Sequence, residues 1–164
     1  MSSALISIAL TIAQRHGLDP SLVCAVIEQE SAWNTHAIRY EPAFFAKYVA
    51  PLFTNNKVEP PTNTEANSRA ISWGLMQVMG QSAREAGFVG QFLSELCDPA
   101  VGIDVGCSLF VHKLGTAHGD LDGALQFWNG GGNPSYAAEV RARMPNYAFP
   151  AQYEKVFLVA FRRG

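Results

Sequence analysis

Apolar residues recur at helical spacing from the start of the chain. Leu5, Ile8, Ala9 and Ile12 predict an amphipathic first helix that ends at Gly17, a residue suited to the left-handed turn past a helix C-terminus. Asp19-Pro20 supplies an N-cap and a proline at the first helical position, opening a second helix from Pro20 to about Trp33. A third, short helix starts at Pro42 and carries Phe44, Phe45, Tyr48 and Val49. Residues 51–68, rich in Pro, Asn and Thr and without a period, read as a loop, of a length that serves either as a binding segment or lid or as plain disorder. After Ser72–Val78, further helical segments fall near 80–87, 90–97, 99–116, 121–129, 134–143 and 150–162. Asp98-Pro99 and Phe149-Pro150 mark helix starts, and Gly130-Gly131-Gly132 marks a break. Period-two alternation is almost absent, and there is no internal repeat or linker. The pattern predicts one domain over residues 1–164, all-α or α with a minor β hairpin.

The second helix carries a carboxylate in an unusual place. At about 100° per residue from Leu22, Val26 falls near 40°, Val23 near 100° and Ile27 near 140°, with Glu30 near 80° in the middle of that stripe. Glu28 falls at about 240°, on the face predicted to be solvated. Low dielectric disfavours the charged carboxylate and raises its pKa. Such a group is either a buried acid satisfied by neighbouring donors or one kept protonated for proton transfer, as glycosidic cleavage requires. Periodicity alone leaves both open.

Composition narrows the field. Hydrophobic residues make up 48% of the 164 and charged ones 16%, enough apolar content for a buried core and too much for disorder. A formal net charge of −2 provides no overall positive field for nucleic acid or anionic lipid. Cys24, Cys97 and Cys107 are too scattered for a disulfide framework or a zinc site. Cys24 reads as a small core residue, and spacing leaves a Cys97–Cys107 pair open. His16, His36, His112 and His118 lack metal-ligand spacing, and no nucleophile elbow or phosphate-cradling loop is present, so neither a metal nor a cofactor is expected. The apolar N-terminus lacks the basic region of a signal peptide, and no run reaches the ~20 apolar residues of a membrane span.

Four segments in order resemble a known family. Glu30-Ser31-Ala32-Trp33-Asn34 resembles the Glu-Ser-x-x-Asn signature of soluble lytic transglycosylase (SLT) domains, and Gly74-Leu75-Met76-Gln77-Val78 their Gly-Leu-Met-Gln-Ile segment. Trp128-Asn129-Gly130-Gly131 resembles their Tyr-Asn-Ala-Gly, and Tyr136 to Val140 their late Tyr-x-x-x-Val. The resemblance spans about residues 10–143 and implies a lysozyme-like, two-lobed fold with a central substrate groove. It makes Glu30 the acid and then the base in cleavage of peptidoglycan glycan strands. The C6 hydroxyl of N-acetylmuramic acid, rather than water, is the nucleophile there and leaves a 1,6-anhydro end. By the same resemblance Met76 and Gln77 line the groove, Asn129 and Tyr136 position groups around Glu30, Trp128 forms an aromatic wall, and Ser31 and Ser72 join the substrate-binding set. Without the motif context Ser31 reads as a helix-end hydroxyl, and Gln77 and Asn129 as satisfied core amides.

Three positions depart from the family pattern: Trp128 stands for a tyrosine, Gly102 for an asparagine, and a long stretch from Arg39 to Ala70 replaces a short connection. Within it, Arg39-Tyr40-Glu41-Pro42-Ala43-Phe44-Phe45, followed by Ser72 to Gly80, also resembles phage-type N-acetylmuramidases, which hydrolyse the same bond. That resemblance makes Glu41 a candidate second carboxylate activating water; its bland alternative is an acid favoured at a helix N-terminus. A rival from another class is a non-catalytic peptidoglycan-binding or virion structural protein. The expected partner is bacterial peptidoglycan, met by a monomer made in the cytoplasm without a signal peptide and acting on the cell wall in the periplasm, as a phage-type endolysin, or from a virion.

Overall fold

The computed structural model describes residues 3–54 and 62–147. Helix α1 (Ser3–Arg15) buries Ala9, Ile12 and Ala13 and ends in the left-handed Gly17, as its pattern predicts. Helix α2 (Pro20–Ser31) starts where Asp19 accepts the backbone N–H of Ser21 at 2.8 Å. Six consecutive residues of α2, Leu22 to Ile27, are buried, so the helix is enclosed rather than one-sided. Each large aliphatic among them contributes roughly 1.5–3 kcal/mol by leaving water. This corrects the solvated placement of Glu28: it is half-buried, and its Oε2 accepts the Tyr147 hydroxyl at 2.7 Å. The predicted helix to Trp33 stops at Ser31 because Ala32 and Trp33 both turn into the left-handed region, with φ of 49° and 65°.

A small antiparallel sheet follows, with β1 (Ile38–Tyr40) paired to β2 (Ile71–Trp73) and β2 to β3 (Val78–Met79). It has one strand more than a hairpin. The extra strand, β1, is exposed along its whole length and so carries no alternating signature. Gly74 opens the β2–β3 turn at φ 65°, and a Cβ there would sit 2.4 Å from the Leu96 carbonyl oxygen.

Between β1 and β2 the chain is more helical than its composition suggests. Helix α3 (Pro42–Phe44) runs through a π-helical stretch (Phe45–Val49) into α4 (Ala50–Thr54). Helix α5 (Asn63–Arg69) occupies part of the segment expected to be loop. Thr62 caps α5 by accepting the Glu65 N–H at 3.2 Å. The rest of its support is tertiary: Glu65 Oε1 accepts from Arg69 Nε at 3.0 Å and from Arg84 Nε at 2.9 Å, and the Trp73 indole donates to the Ser68 carbonyl at 3.0 Å. Burial pushes the Glu65 carboxyl up, but the two guanidinium groups outweigh it and hold it below its ordinary range. Distant partners outweigh a sequence with weak local preference, which is why the loop assignment fails here.

Helix α6 (Gly80–Glu85) and a 3-10 turn (Leu93–Cys97) lead into α7 (Pro99–Thr116), which Asp98 caps by accepting the N–H groups of Ala100 and Val101. Helices α8 (Leu121–Trp128) and α9 (Tyr136–Arg143) and a closing 3-10 turn (Met144–Tyr147) complete the described chain. The expected helix at 150–162 lies outside the described residues. Cys24, Cys97 and Cys107 are free thiols, and burial pushes Cys24 and Cys107 up to about 12.

Gly102, the departure from the family's asparagine, has a local reason: a Cβ there would lie 2.2 Å from the Leu96 carbonyl oxygen. Gly115 in the same helix has no atom within 4 Å of its Cβ position. Helix propensity favours alanine over glycine by about 1 kcal/mol at both sites. Overpacking costs roughly 1–3 kcal/mol and applies only at Gly102. Thermal unfolding should therefore order the proteins Gly115→Ala, wild type, Gly102→Ala from most to least stable, with steps of about 2–4 °C per kcal/mol. Equal midpoints for the two variants would refute the close α7–Leu96 contact.

Candidate active site

Glu30 lies in the last turn of α2, where the apolar stripe ends. Its Oε1 accepts two hydrogen bonds: from the Tyr136 hydroxyl at 2.5 Å and from the Trp128 indole Nε1 at 3.1 Å. Tyr136 is the first residue of α9 and Trp128 the last of α8, so the glycine-rich break between those helices brings both donors to one oxygen. Among the described residues Oε2 accepts no hydrogen bond. Burial raises the Glu30 pKa above the ordinary carboxylate range, against the lowering effects of Tyr136, Trp128 and the Arg39 cation. Burial and the neighbouring Glu30 carboxyl raise the Tyr136 phenol too, so it acts as a donor rather than a phenolate. One oxygen is thus held by two donors, and burial favours the neutral form of the group.

Trp128 packs at 5.6 Å between ring centroids, tilted, against the fully buried Phe110. Where the family pattern has tyrosine, the indole contributes an N–H to the carboxyl as well as an aromatic surface. The residue pattern alone shows the wall but not the bond. Asn129 caps α8 and donates to the Asn133 carbonyl at 3.2 Å, closing the Gly130–Gly132 loop rather than touching Glu30. Asn133 and Gln29 both donate to Glu139 Oε2, at 3.1 and 2.7 Å, so the loop is tied back to α2 one residue before Glu30.

The β2–β3 turn meets the end of α2 through Ser31, whose Oγ lies 2.9 Å from the Leu75 carbonyl and 3.1 Å from that of Ile27. Gln77, at φ 48°, donates both amide hydrogens, to the carbonyls of Ala37 at 3.0 Å and Gly74 at 2.9 Å, and its Oε1 accepts the Ser72 hydroxyl at 3.0 Å. Those amide and hydroxyl groups brace the turn against β1. Met76 is 1% exposed, and its sulfur would lie 2.5 Å from a Cβ on Gly106. It fills the core beneath the turn, where the resemblance implies a groove position. The seven implied positions thus divide: Trp128 and Tyr136 reach Glu30, while Ser31, Ser72, Met76, Gln77 and Asn129 shape the backbone around it.

Glu41 precedes α3 and pairs with Arg39 Nε at 2.5 Å; no hydrogen bond joins it to Glu30. Arg39 itself faces the same way as its cross-strand partner Ser72 and lies close enough to Glu30 to act on its charge. Its signal in the sequence was the mid-strand position in Ile38-Arg39-Tyr40, invisible while the strand itself was unpredicted. A shallow depression of about 640 Å³, lined by Ile38, Trp73, Glu95 and Asp98 among others, includes neither Glu30 nor its two donors.

A hydrogen bond from Tyr136 favours the charged form of Glu30, so removing the hydroxyl raises the carboxyl's pKa further. If protonated Glu30 is the active form, activity falls as pH rises through that pKa. Tyr136→Phe should therefore move the alkaline limb of the pH–rate profile to higher pH while lowering the maximal rate. A limb that stays in place, in a variant that folds, would separate Tyr136 from the working carboxyl.

No curated protein and no solved structure gives a significant match. Residues 7–146 match the Transglycosylase SLT domain, a span holding Glu30, both of its donors and the turn that braces it. The chain therefore belongs to the Transglycosylase SLT domain family, lysozyme-like in fold and cleaving peptidoglycan.

Proposed function

We propose that the chain cleaves the MurNAc-β-1,4-GlcNAc bond of peptidoglycan by the transglycosylase route, with Glu30 as its working carboxyl. The observation that carries this is the desolvated carboxyl with Oε1 held by Tyr136 and Trp128 and Oε2 without a hydrogen-bond partner among the described residues. Protonated Glu30 gives its proton to the glycosidic oxygen, the C1–O4 bond breaks, and GlcNAc leaves with a free 4-hydroxyl. The C6 hydroxyl of MurNAc then bonds to its own C1 and passes its proton to the Glu30 carboxylate. The product is a 1,6-anhydroMurNAc end; no water is consumed and the enzyme is returned protonated. Burial favours the neutral acid at the start of this cycle, and the two fixed donors ease the carboxylate in its middle. A single carboxyl serves both steps, in keeping with the ion pair that occupies Glu41.

A phage-type endolysin is the biological setting this reading favours. The support is the likeness of Arg39–Phe45 and Ser72–Gly80 to phage-type N-acetylmuramidases. Among the described residues no helix is long and apolar enough to cross a membrane.

Glu30→Gln should retain sugar binding and the fold, because the amide oxygen still accepts from Tyr136 and Trp128, yet lose about 10²–10⁴-fold in cleavage. The linkage has a definite sign. The folded pKa of Glu30 lies above its ordinary value, so its contribution to stability is fully present below that ordinary value and is lost as pH rises through the folded pKa. The inactive variant should consequently melt no lower than the wild type at neutral pH, with the difference shrinking in acid. Residual activity above about a tenth of wild type would remove Glu30 from its role.

The hydrolytic alternative rests on Glu41 as a base for water. Mass spectrometry of digested walls separates the two: the transglycosylase route yields 1,6-anhydro ends and only a modest loss in Glu41→Gln. Reducing MurNAc ends, together with an inactive Glu41→Gln, would make the enzyme a muramidase.

A further inference from the structure

Two consecutive residues at the end of α2 reach across to two residues one turn apart on α9. Glu30 Oε1 accepts the Tyr136 hydroxyl, and Gln29 Nε2 donates to Glu139 Oε2 at 2.7 Å. Positions three apart share a helix face, so Tyr136 and Glu139 meet α2 together. The second bridge takes no part in proton transfer, yet it is the one that branches. The same Glu139 oxygen accepts Asn133 Nδ2 at 3.1 Å. Asn133 is the junction of the α8–α9 connection: its Oδ1 accepts the Ser135 N–H at 2.9 Å, and its carbonyl accepts the Tyr136 N–H at 3.1 Å and the Asn129 amide at 3.2 Å. Asn129 directly follows Trp128, so both donors to Glu30 are set from this one residue. Packing does little to fix the connection, since a Cβ at Gly130 or Gly131 would have no atom within 4 Å. Polar bonds fix it instead, and the bond from Asn133 to Glu139 relays them to α2. Gln29 Oε1 is buried and, among the described residues, accepts no hydrogen bond. A buried acceptor without a donor is costly. Turning the amide over would bring that oxygen against Glu139 Oε2, so Glu139 fixes which way Gln29 faces.

We propose that Glu139 is a positioning residue for cleavage: its Oε2 gathers Gln29 and Asn133 and so holds the Tyr136 and Trp128 donors against the Glu30 carboxyl. It fills one of the unspecified positions of the Tyr-x-x-x-Val segment, so the family resemblance assigns it nothing. The proposal rests on Glu30 as the working carboxyl, with which Glu139 itself makes no hydrogen bond. Misplacing a catalytic group by about 1 Å costs on the order of 10²-fold in rate, so a hub one helical turn away is close enough to matter. Chemistry fixes the direction of its effect. Loosening the donors removes what favours the charged form of Glu30, and the carboxyl's pKa rises. Removing a negative charge alone does the reverse, because a like charge nearby raises a carboxyl's pKa. The charged and titratable groups around the hub are Glu28 and Glu30 on α2, Tyr136 and Arg143 on α9, Tyr147 against Glu28, and Arg39 of β1, which acts on Glu30.

The test compares the full chain with its Glu139→Ala, Glu139→Gln and Gln29→Leu variants, with thermal melting as the folding control. Two quantities are read: kcat and KM on purified peptidoglycan across pH, and the titration of the Glu30 carboxyl by side-chain carbon-13 NMR, which needs no turnover. Glu139→Ala should lower kcat by about ten- to a hundredfold while KM stays within about twofold. Its Glu30 titration and its alkaline limb should both move to higher pH, and adding Tyr136→Phe should move them little further. Glu139→Gln keeps an oxygen that accepts from both amides, so it should restore most of kcat and bring the titration back towards the wild type. Gln29→Leu removes one of the two donors and should fall between. A folded Glu139→Ala whose Glu30 titration stays in place overturns the proposal. A move to lower pH overturns it too, since only the effect of a lost charge is then seen. A lowered melting temperature with kcat unchanged makes Glu139 a purely structural residue, which also overturns it. If Glu30→Gln retains cleavage, the reading of the catalytic carboxyl fails and takes the positioning role with it. The titration tells that failure apart, because it reads the hold of Glu139 on Glu30 without turnover.

Discussion

The organisation of this domain follows from the need to keep one carboxyl out of water without leaving it unpartnered. A buried carboxylate without donors is prohibitively costly, and a carboxyl in water loses its proton well below neutral pH. Glu30 stands between those limits. Its helix is enclosed from Leu22 to Ile27, which removes solvent from one side, and Tyr136 and Trp128 place two donors on a single oxygen. Burial outweighs those donors and raises the carboxyl above its ordinary range, yet the donors are in place when it ionises. The same arrangement explains why the helices after residue 120 are short and broken: α8 must end on Trp128 and α9 begin on Tyr136 for both to reach one atom.

Glu30 is only one tooth of a comb. Four successive side chains at the end of α2 are each tied to distant residues: Glu28 to Tyr147, Gln29 to Glu139, Glu30 to Tyr136 and Trp128, and Ser31 to the Leu75 carbonyl. The turn that follows holds two non-glycine residues, Ala32 and Trp33, at positive φ. Such residues cost about 1–3 kcal/mol each and persist only where their surroundings over-determine them. Here the buried Trp33 indole donates to the Tyr147 hydroxyl at 2.8 Å, and that hydroxyl donates to Glu28. The strained turn is thus locked to the helix it leaves, and the position of Glu30 is set from both sides. A carboxyl that must meet a glycosidic oxygen and then a hydroxyl needs that precision.

What was legible in the sequence is what is encoded locally. Asp19-Pro20 and Asp98-Pro99 open helices by capping geometry, Gly17 closes one, and Glu30 betrays itself by sitting in an apolar stripe. The roles of Gln77, Asn129 and Met76 were not legible as geometry. A motif names which residues recur together, and it cannot say whether a side chain faces a groove or braces the backbone beside it. The saturated amide of Gln77 and the buried sulfur of Met76 are the second kind. Glu28 was misplaced for a different reason: a helical wheel presumes one solvated face, and α2 is enclosed around its circumference. Helix α5 escaped because its support comes from Arg84 and Trp73, which follow it in the chain.

That last case shows how the domain accommodates extra chain beside its active site. The segment between β1 and β2 contributes little to the main core; Val49 is its fully buried side chain among the described residues before α5, and α5 buries none. It is held by polar clamps at its ends. At one end the Glu41 N–H donates to the Ala70 carbonyl at 2.9 Å, closing the sheet, and at the other Glu65 gathers Arg69 and Arg84. Arg84 in turn donates to the carbonyls of Phe88 and Gly90, at 2.8 and 2.7 Å, so α5 is fastened to the connection that leads towards the Leu93–Cys97 turn. Because loop closure becomes only slowly more costly with length, chain can be added between two paired strands at small expense if its ends are fixed. Clamping at the ends leaves the middle free to diversify. The exposed Tyr48 stands in that added stretch, and the exposed Tyr40 in the strand that leads into it.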